Sequence, residues 1–151
     1  MKILFASDIH GSAYYCRRLL DIYKETKASR MVILGDILYH GPRNDLPKEY
    51  APKEVIAMLN PLKDQIYAVR GNCDTEVDQM VLQFPILADY ALLVLDGKTF
   101  YATHGCLLYT SHAHALSRST ACLRRQGIRY IANSDSPRFA LYCLLRRRNL
   151  R

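Results

Sequence analysis

The 151-residue sequence has no apolar run that could cross a membrane: the longest, residues 139–145, falls far short of the about 20 residues a spanning helix needs. It also opens without a leader pattern, because Met1-Lys2-Ile3-Leu4-Phe5-Ala6-Ser7 reaches Asp8 before an apolar segment can build. Its five cysteines, Cys16, Cys73, Cys106, Cys122 and Cys143, are odd in number and contain no Cys-x-x-Cys pair. That argues against a disulfide framework and for reduced thiols in a cytoplasmic protein. With 50% hydrophobic and 23% charged residues, the chain has the apolar content of one folded domain rather than of a disordered segment.

Acids are scarce in one place only. Residues 1–105 hold 12 Lys and Arg against 13 Asp and Glu, whereas residues 106–151 hold nine Arg, no Lys and the single acid Asp135. The formal charge of +7 therefore resides in the last 46 residues, which also contain only one glycine, Gly127. A basic interaction tail would account for this, with Arg146-Arg147-Arg148 touching nucleic acid or anionic lipid, although a solvated charge cluster accounts for it as well. Forty-six residues are few for a second domain without staples. The shift in charge, in Lys/Arg usage and in motif content falls at one residue. Cys106-Leu107-Leu108-Tyr109-Thr110-Ser111 is moreover what the mosaic end of a transposon-based sequencing library spells in one frame. The expected organisation is thus a domain over residues 1–105 and an Arg-rich tail over 106–151 of frameshifted or chimeric origin.

The body alternates strand and helix signals. Residues 2–7 read as a buried strand closed by Asp8 and Gly11, and Ser12 caps a helix to about Thr26 with Tyr15, Leu19, Ile22 and Tyr23 at helical spacing. Residues 31–34 form a second strand, closed by Gly35-Asp36. Residues 39–51, with Gly41-Pro42 and Pro47, must be a loop. Pro52 starts a helix to Asn60, residues 65–69 form a third strand, and residues 75–84 are helical by pattern up to Pro85. Residues 90–95 and 98–103 flank Asp96-Gly97, a hairpin-turn signal. In the tail, residues 115–126 could form a helix. The order predicts an α/β fold whose first sheet is parallel and whose hairpin begins a second sheet.

Metal-capable side chains recur just past strand ends: Asp8 and His10, then Asp36, then Asn72, then His104. A parallel sheet aligns such ends along one edge, where ligands bind. Oxygen and imidazole donors suit Mn²⁺, Fe²⁺, Ni²⁺, Zn²⁺ or Mg²⁺. Taken singly, each has a plainer reading as a helix cap, a turn former or a strand-end histidine.

Together, Asp8-x-His10, Gly35-Asp36, Gly71-Asn72 and Thr103-His104-Gly105 resemble the successive blocks of the calcineurin-like metallophosphoesterases. The stretches Ser7-Asp8-Ile9-His10-Gly11-Ser12, Gly35-Asp36-Ile37-Leu38-Tyr39-His40-Gly41-Pro42-Arg43-Asn44 and Arg70-Gly71-Asn72-Cys73-Asp74-Thr75-Glu76 narrow the resemblance to the bacterial YfcE-type phosphodiesterases. It covers residues 1 to about 105. The resemblance implies an α/β/β/α sandwich carrying two divalent metal ions, manganese foremost, with nickel, iron, zinc or magnesium as alternatives. It places Asp8 and His10 on one metal, Asp36 between both, and Asn72 and His104 on the second. A two-metal-activated hydroxide would then hydrolyse a small phosphodiester. Arg43 could clamp a phosphate oxygen and His40 could serve as an acid or substrate contact. Cys73 stands where many relatives have histidine, and a neutral thiol is a poor proton donor, which favours phosphodiesters with good leaving groups.

The family pattern stops at Gly105. Relatives continue with His and a later Gly-His-x-His block, whereas residue 106 is Cys and no Gly-His pair follows. His112-Ala113-His114 arrives too early and reads as incidental. The competing expectation is therefore a catalytically incomplete fragment or a non-catalytic scaffold of the same fold. No membrane partner is expected, nucleic acid is the weaker reading, and the oligomeric state is left open.

Overall fold

In the computed structural model of the chain, the residues described are 2–42, 44–95 and 98–104, with the strands 129–132 and 141–146 as backbone. Arg43, the Asp96-Gly97 turn, His112, His114 and the tail helix expected over residues 115–126 lie outside them.

Strand β1 (Lys2–Ser7) leads into helix α1 (Ala13–Thr26), β2 (Arg30–Ile33), α2 (Pro52–Leu59), a 3-10 turn (Asn60–Gln65), β3 (Ile66–Ala68) and α3 (Glu76–Val81). A hairpin, β4 (Ala91–Leu95) and β5 (Lys98–Ala102), follows, and then β6 (Arg129–Ala132) and β7 (Leu141–Arg146). The first sheet has the order β3-β2-β1-β7-β6 and the second is β4-β5. β1, β2 and β3 are parallel, as the sequence predicts. β7 runs antiparallel to β1, pairing Phe5 with Cys143, and β6 antiparallel to β7, so two strands of the Arg-rich segment complete the first sheet.

Alternation along β1 and β2 builds two layers. Leu4, Ala6, Met31 and Ile33 face a cluster with Tyr15, Cys16 and Leu19 of α1 and Val55 and Leu59 of α2. Their neighbours Ile3 and Val32 face the other way, onto Ala102, with Ala91 and Leu93 packed alongside. Each fully buried Leu or Ile contributes about 1.5–3 kcal/mol of transfer free energy. The described residues thus build the helix–sheet–sheet layers of the expected sandwich.

Local chemistry sets the element ends. Ser12 accepts a hydrogen bond from the Tyr15 amide at 3.2 Å, and α1 closes on Lys27 in a left-handed conformation, φ 51°. Pro52 opens α2. The helix expected over residues 75–84 stops at Val81. Leu82, Phe84 and Ile86 instead enter the core from irregular, bent chain, and Gln79 fixes that path through Leu82 O, Phe84 O and the Ile86 amide. Burial of three large side chains at a period of two overrides the local helical pattern.

Candidate metal centre

The loops after β1 and β2 are laced side by side. Asp8 N donates to Gly35 O at 3.1 Å, His10 N to Asp36 O at 2.9 Å and Gly11 N to Ile37 O at 2.8 Å. Between Asp8 and His10, Ile9 is wholly buried in the core and anchors the turn. Asp8, His10 and Asp36 all sit at positive φ, 60°, 49° and 56°. Non-glycine residues hold that conformation only where surrounding contacts over-determine it, and such positions cluster at functional sites.

The loop after β3 crosses the β2 loop at van der Waals limit. A Cβ on Gly35, whose φ is +93°, would lie 2.2 Å from Gly71 N, and one on Gly71 would lie 2.1 Å from Asp36 Oδ1. Both positions therefore require glycine. Gly35→Ala is expected to lower stability by about 3 kcal/mol or more, from backbone strain plus overpacking, read as a fall in the urea midpoint. An unchanged midpoint would show that the crossing is looser than described.

These loops bring four of the sequence-derived residues to one place and a fifth beside them. Ligand atoms of Asp8, Asp36 and His104 lie within 4.8 Å of one another, as do those of His10, Asp36 and Cys73. His10 Nε2 is 3.4 Å from Asp8 Oδ1 and 3.7 Å from Asp36 Oδ2, while His104 Nε2 is 3.5 Å from Asp36 Oδ2. Asn72 Oδ1 is 3.0 Å from His104 Nε2. Asp36 is central: its Oδ1 accepts the Cys73 amide at 2.8 Å and its Oδ2 lies between the two imidazoles.

The histidines are oriented alike. His10 Nδ1 is 2.7 Å from Tyr39 O, and His104 Nδ1 is 2.7 Å from Leu34 O. A carbonyl only accepts, so each Nδ1 donates its proton there and each Nε2 faces the acids, the nitrogen that a cation would take once its own proton is lost. That backbone tether is the usual support of a metal-bound imidazole. Oxygen and Nε2 donors converging on one point fit divalent cations of the Mn²⁺, Zn²⁺ or Mg²⁺ type.

The electrostatics match a site built to hold charge. Burial opposes ionisation of Asp8, but hydrogen bonds from His10 and Ser7 and the nearby histidine charges outweigh it and lower its pKa. Burial likewise opposes protonation of His10, yet Asp8, the Tyr39 carbonyl and Asp36 raise its pKa. Asp36 goes the other way, raised chiefly by burial. Burial and the Asp36 carboxylate push the Cys73 thiol up to about 12, so it keeps its proton, as the sequence reading requires of a poor acid. Titratable groups pushed in opposite directions within one cluster mark functional sites.

Asp74 is a residue that sequence reasoning missed. Its carboxylate, 2% exposed, accepts the amides of Asp36 at 2.8 Å, Ile37 at 2.9 Å and Gly71 at 2.8 Å. It thus ties the β2 loop to the β3 loop. The only sequence signal is its place directly after Gly71-Asn72-Cys73. His40 lies on the loop beside the site, edge-on between the rings of Tyr39 and Tyr50, and is not in the donor cluster.

A sandwich with this donor set at its strand ends belongs to the metal-assisted phosphoesterases in outline. Residues 1–130 match the Calcineurin-like phosphoesterase superfamily domain, and the chain belongs to that family. Among curated relatives, phosphodiesterase YfcE of Escherichia coli strain K12 is 47% identical over 119 residues, covering 79% of this chain and 65% of the relative. The YfcE proteins of strains O6:H1 and O157:H7 match equally. The chain therefore spans just under two thirds of the length of the curated relatives it matches. The solved structure of YfcE, a phosphoesterase from E. coli, superposes with a TM-score of 0.70 at 50% identity, over 71% of this chain and 59% of that one. A novel archaeal phosphodiesterase, 23% identical with a TM-score of 0.53 over 81% of this chain and 67% of that one, shares the fold.

Proposed function

We propose that the chain is a divalent-metal-dependent phosphodiesterase, with Asp8 and His10 on one cation, Asp36 between two, and Asn72 and His104 on the second. The observation that carries this reading is the convergence of Asp8, Asp36 and His104 within 4.8 Å, with both histidines tethered through Nδ1. Mn²⁺ is the favoured cation, and the same donors suit nickel, iron, zinc or magnesium. Bound cations would supply Lewis acidity, lowering the pKa of the attacking water and neutralising phosphate charge. The chain's own residues do the rest. Tyr39 O and Leu34 O hold the imidazoles in register, and Asp74 holds the loops that carry Asp36 and Asn72. Arg43 clamps a phosphate oxygen, and His40 contacts the substrate or serves as its acid. The substrate is a small phosphodiester rather than nucleic acid. No helix among the described residues is long and apolar enough to cross a membrane, and Cys16 and Cys73 are free and buried. Free thiols support a cytoplasmic setting.

Incubation with bis(p-nitrophenyl) phosphate tests the reading. Release of p-nitrophenolate is expected with Mn²⁺ and is expected to stop on chelation. No release with Mn²⁺, together with retained fold, would favour the incomplete fragment or scaffold instead.

A further inference from the structure

We propose that Tyr39, His40 and Tyr50 form an aromatic subsite beside the metal centre that receives a planar ring on one ester arm, so that the substrates are aromatic phosphodiesters. This deepens the phosphodiesterase reading and rests on it.

Three contacts place the cluster at the site. Tyr39 O tethers His10 at 2.7 Å. The Tyr50 ring lies against the residue that follows His10, since a Cβ on Gly11 would be 2.6 Å from Tyr50 Cε2. Next to His40, a Cβ on Gly41 would be 3.1 Å from Cys73 Sγ, so the same segment abuts the residue after Asn72. The loop is also fastened to α1. Ser12 Oγ donates to Lys48 O, Ala13 N to Glu49 O, and Ser12 bridges Tyr50. The cluster is therefore held in place before any ligand arrives, which limits the entropy lost on binding.

The rings are arranged edge to face, 4.9 Å at 70° between Tyr39 and His40, and 5.2 Å at 76° between His40 and Tyr50. Unlike Tyr15 in the core, Tyr39 is 40% exposed, and His40 and Tyr50 are only half-buried. Packing alone does not explain a histidine here: its Nδ1 is buried with no hydrogen-bond partner among the described residues. An unsatisfied buried nitrogen is costly, and such exceptions cluster where function retains them. An incoming ring would extend the stack in the geometry aromatic pairs prefer.

The test is calorimetric, on the full chain with Mn²⁺, using methyl phenylphosphonate and methyl cyclohexylphosphonate as diester mimics of equal charge and similar size. The phenyl compound is expected to bind about fivefold more tightly, the size of one aromatic pair. Tyr39→Leu, which keeps the main-chain carbonyl on His10, is expected to erase that preference, and Tyr39→Phe to keep it. Equal affinity in the unaltered chain, or a preference that survives Tyr39→Leu, would overturn the subsite and leave the phosphodiesterase reading intact. Binding of neither compound, with no hydrolysis of bis(p-nitrophenyl) phosphate, would overturn the phosphodiesterase reading and the subsite with it.

Discussion

Asp36→Asn is expected to abolish Mn²⁺-dependent hydrolysis of bis(p-nitrophenyl) phosphate while the melting temperature of the metal-free protein holds or rises. The carboxylate lies between His10 Nε2 and His104 Nε2, 3.7 and 3.5 Å away. An amide in its place has no charge to offer a cation, and only one oxygen. The loss should exceed the about 10³-fold that follows removal of one transition-state hydrogen-bond donor, because the carboxylate proposed to be shared by both cations disappears. Stability moves the other way. Burial raises the Asp36 pKa, so the folded state holds this proton more tightly than the unfolded chain does. Stability is therefore gained as pH falls through the folded pKa, and the ionised form is a burden on the metal-free fold above it. Asparagine removes that burden while its oxygen can still accept the Cys73 amide. A variant that keeps its activity, measured alongside its melting curve, would remove Asp36 from the centre of the site.

The second large effect falls on stability. Asp74→Ala strands the amides of Asp36, Ile37 and Gly71, each paired to the carboxylate at 2.8–2.9 Å. A buried amide left unpaired costs about 1–3 kcal/mol, so the sum is on the order of 3 kcal/mol or more. Domains are stable by only about 5–15 kcal/mol, so the variant should unfold at markedly lower urea. Asp74→Asn keeps the shape and loses part of the acceptor capacity, and should fall between the two. A shift below about 1 kcal/mol for the alanine variant would mean that water replaces the carboxylate and that the tie is dispensable.

These two aspartates differ in how far the sequence reveals them. Asp36 was legible because it follows a strand and a glycine, in step with Asp8, His10, Asn72 and His104 at the other strand ends. Strand-end position is a local signal, and the parallel sheet converts it into proximity. Asp74 was not legible, because its partners lie up to 38 residues away and make no periodic pattern. The same holds for the ring contacts around His40, which depend on the path of an irregular loop. Among the elements, α1 could be bounded from its Ser12 cap, whereas the end of α3 could not. Leu82, Phe84 and Ile86 fit a helix face only partly, and their burial outside the helix is settled by the core they enter. The antiparallel pairing of β7 with β1 joins residues about 140 positions apart, beyond any local signal.

The central claim is that Asp8, His10, Asp36, Asn72 and His104 form one divalent-cation centre. Titrating Mn²⁺ into the metal-free chain and into Asp36→Asn, with free Mn²⁺ followed by electron paramagnetic resonance, tests it most directly. Saturable loss of the free-ion signal in the unaltered chain, absent from the variant, is the expected result. A chain that leaves all Mn²⁺ free, or a variant that takes up as much as the parent, would contradict it.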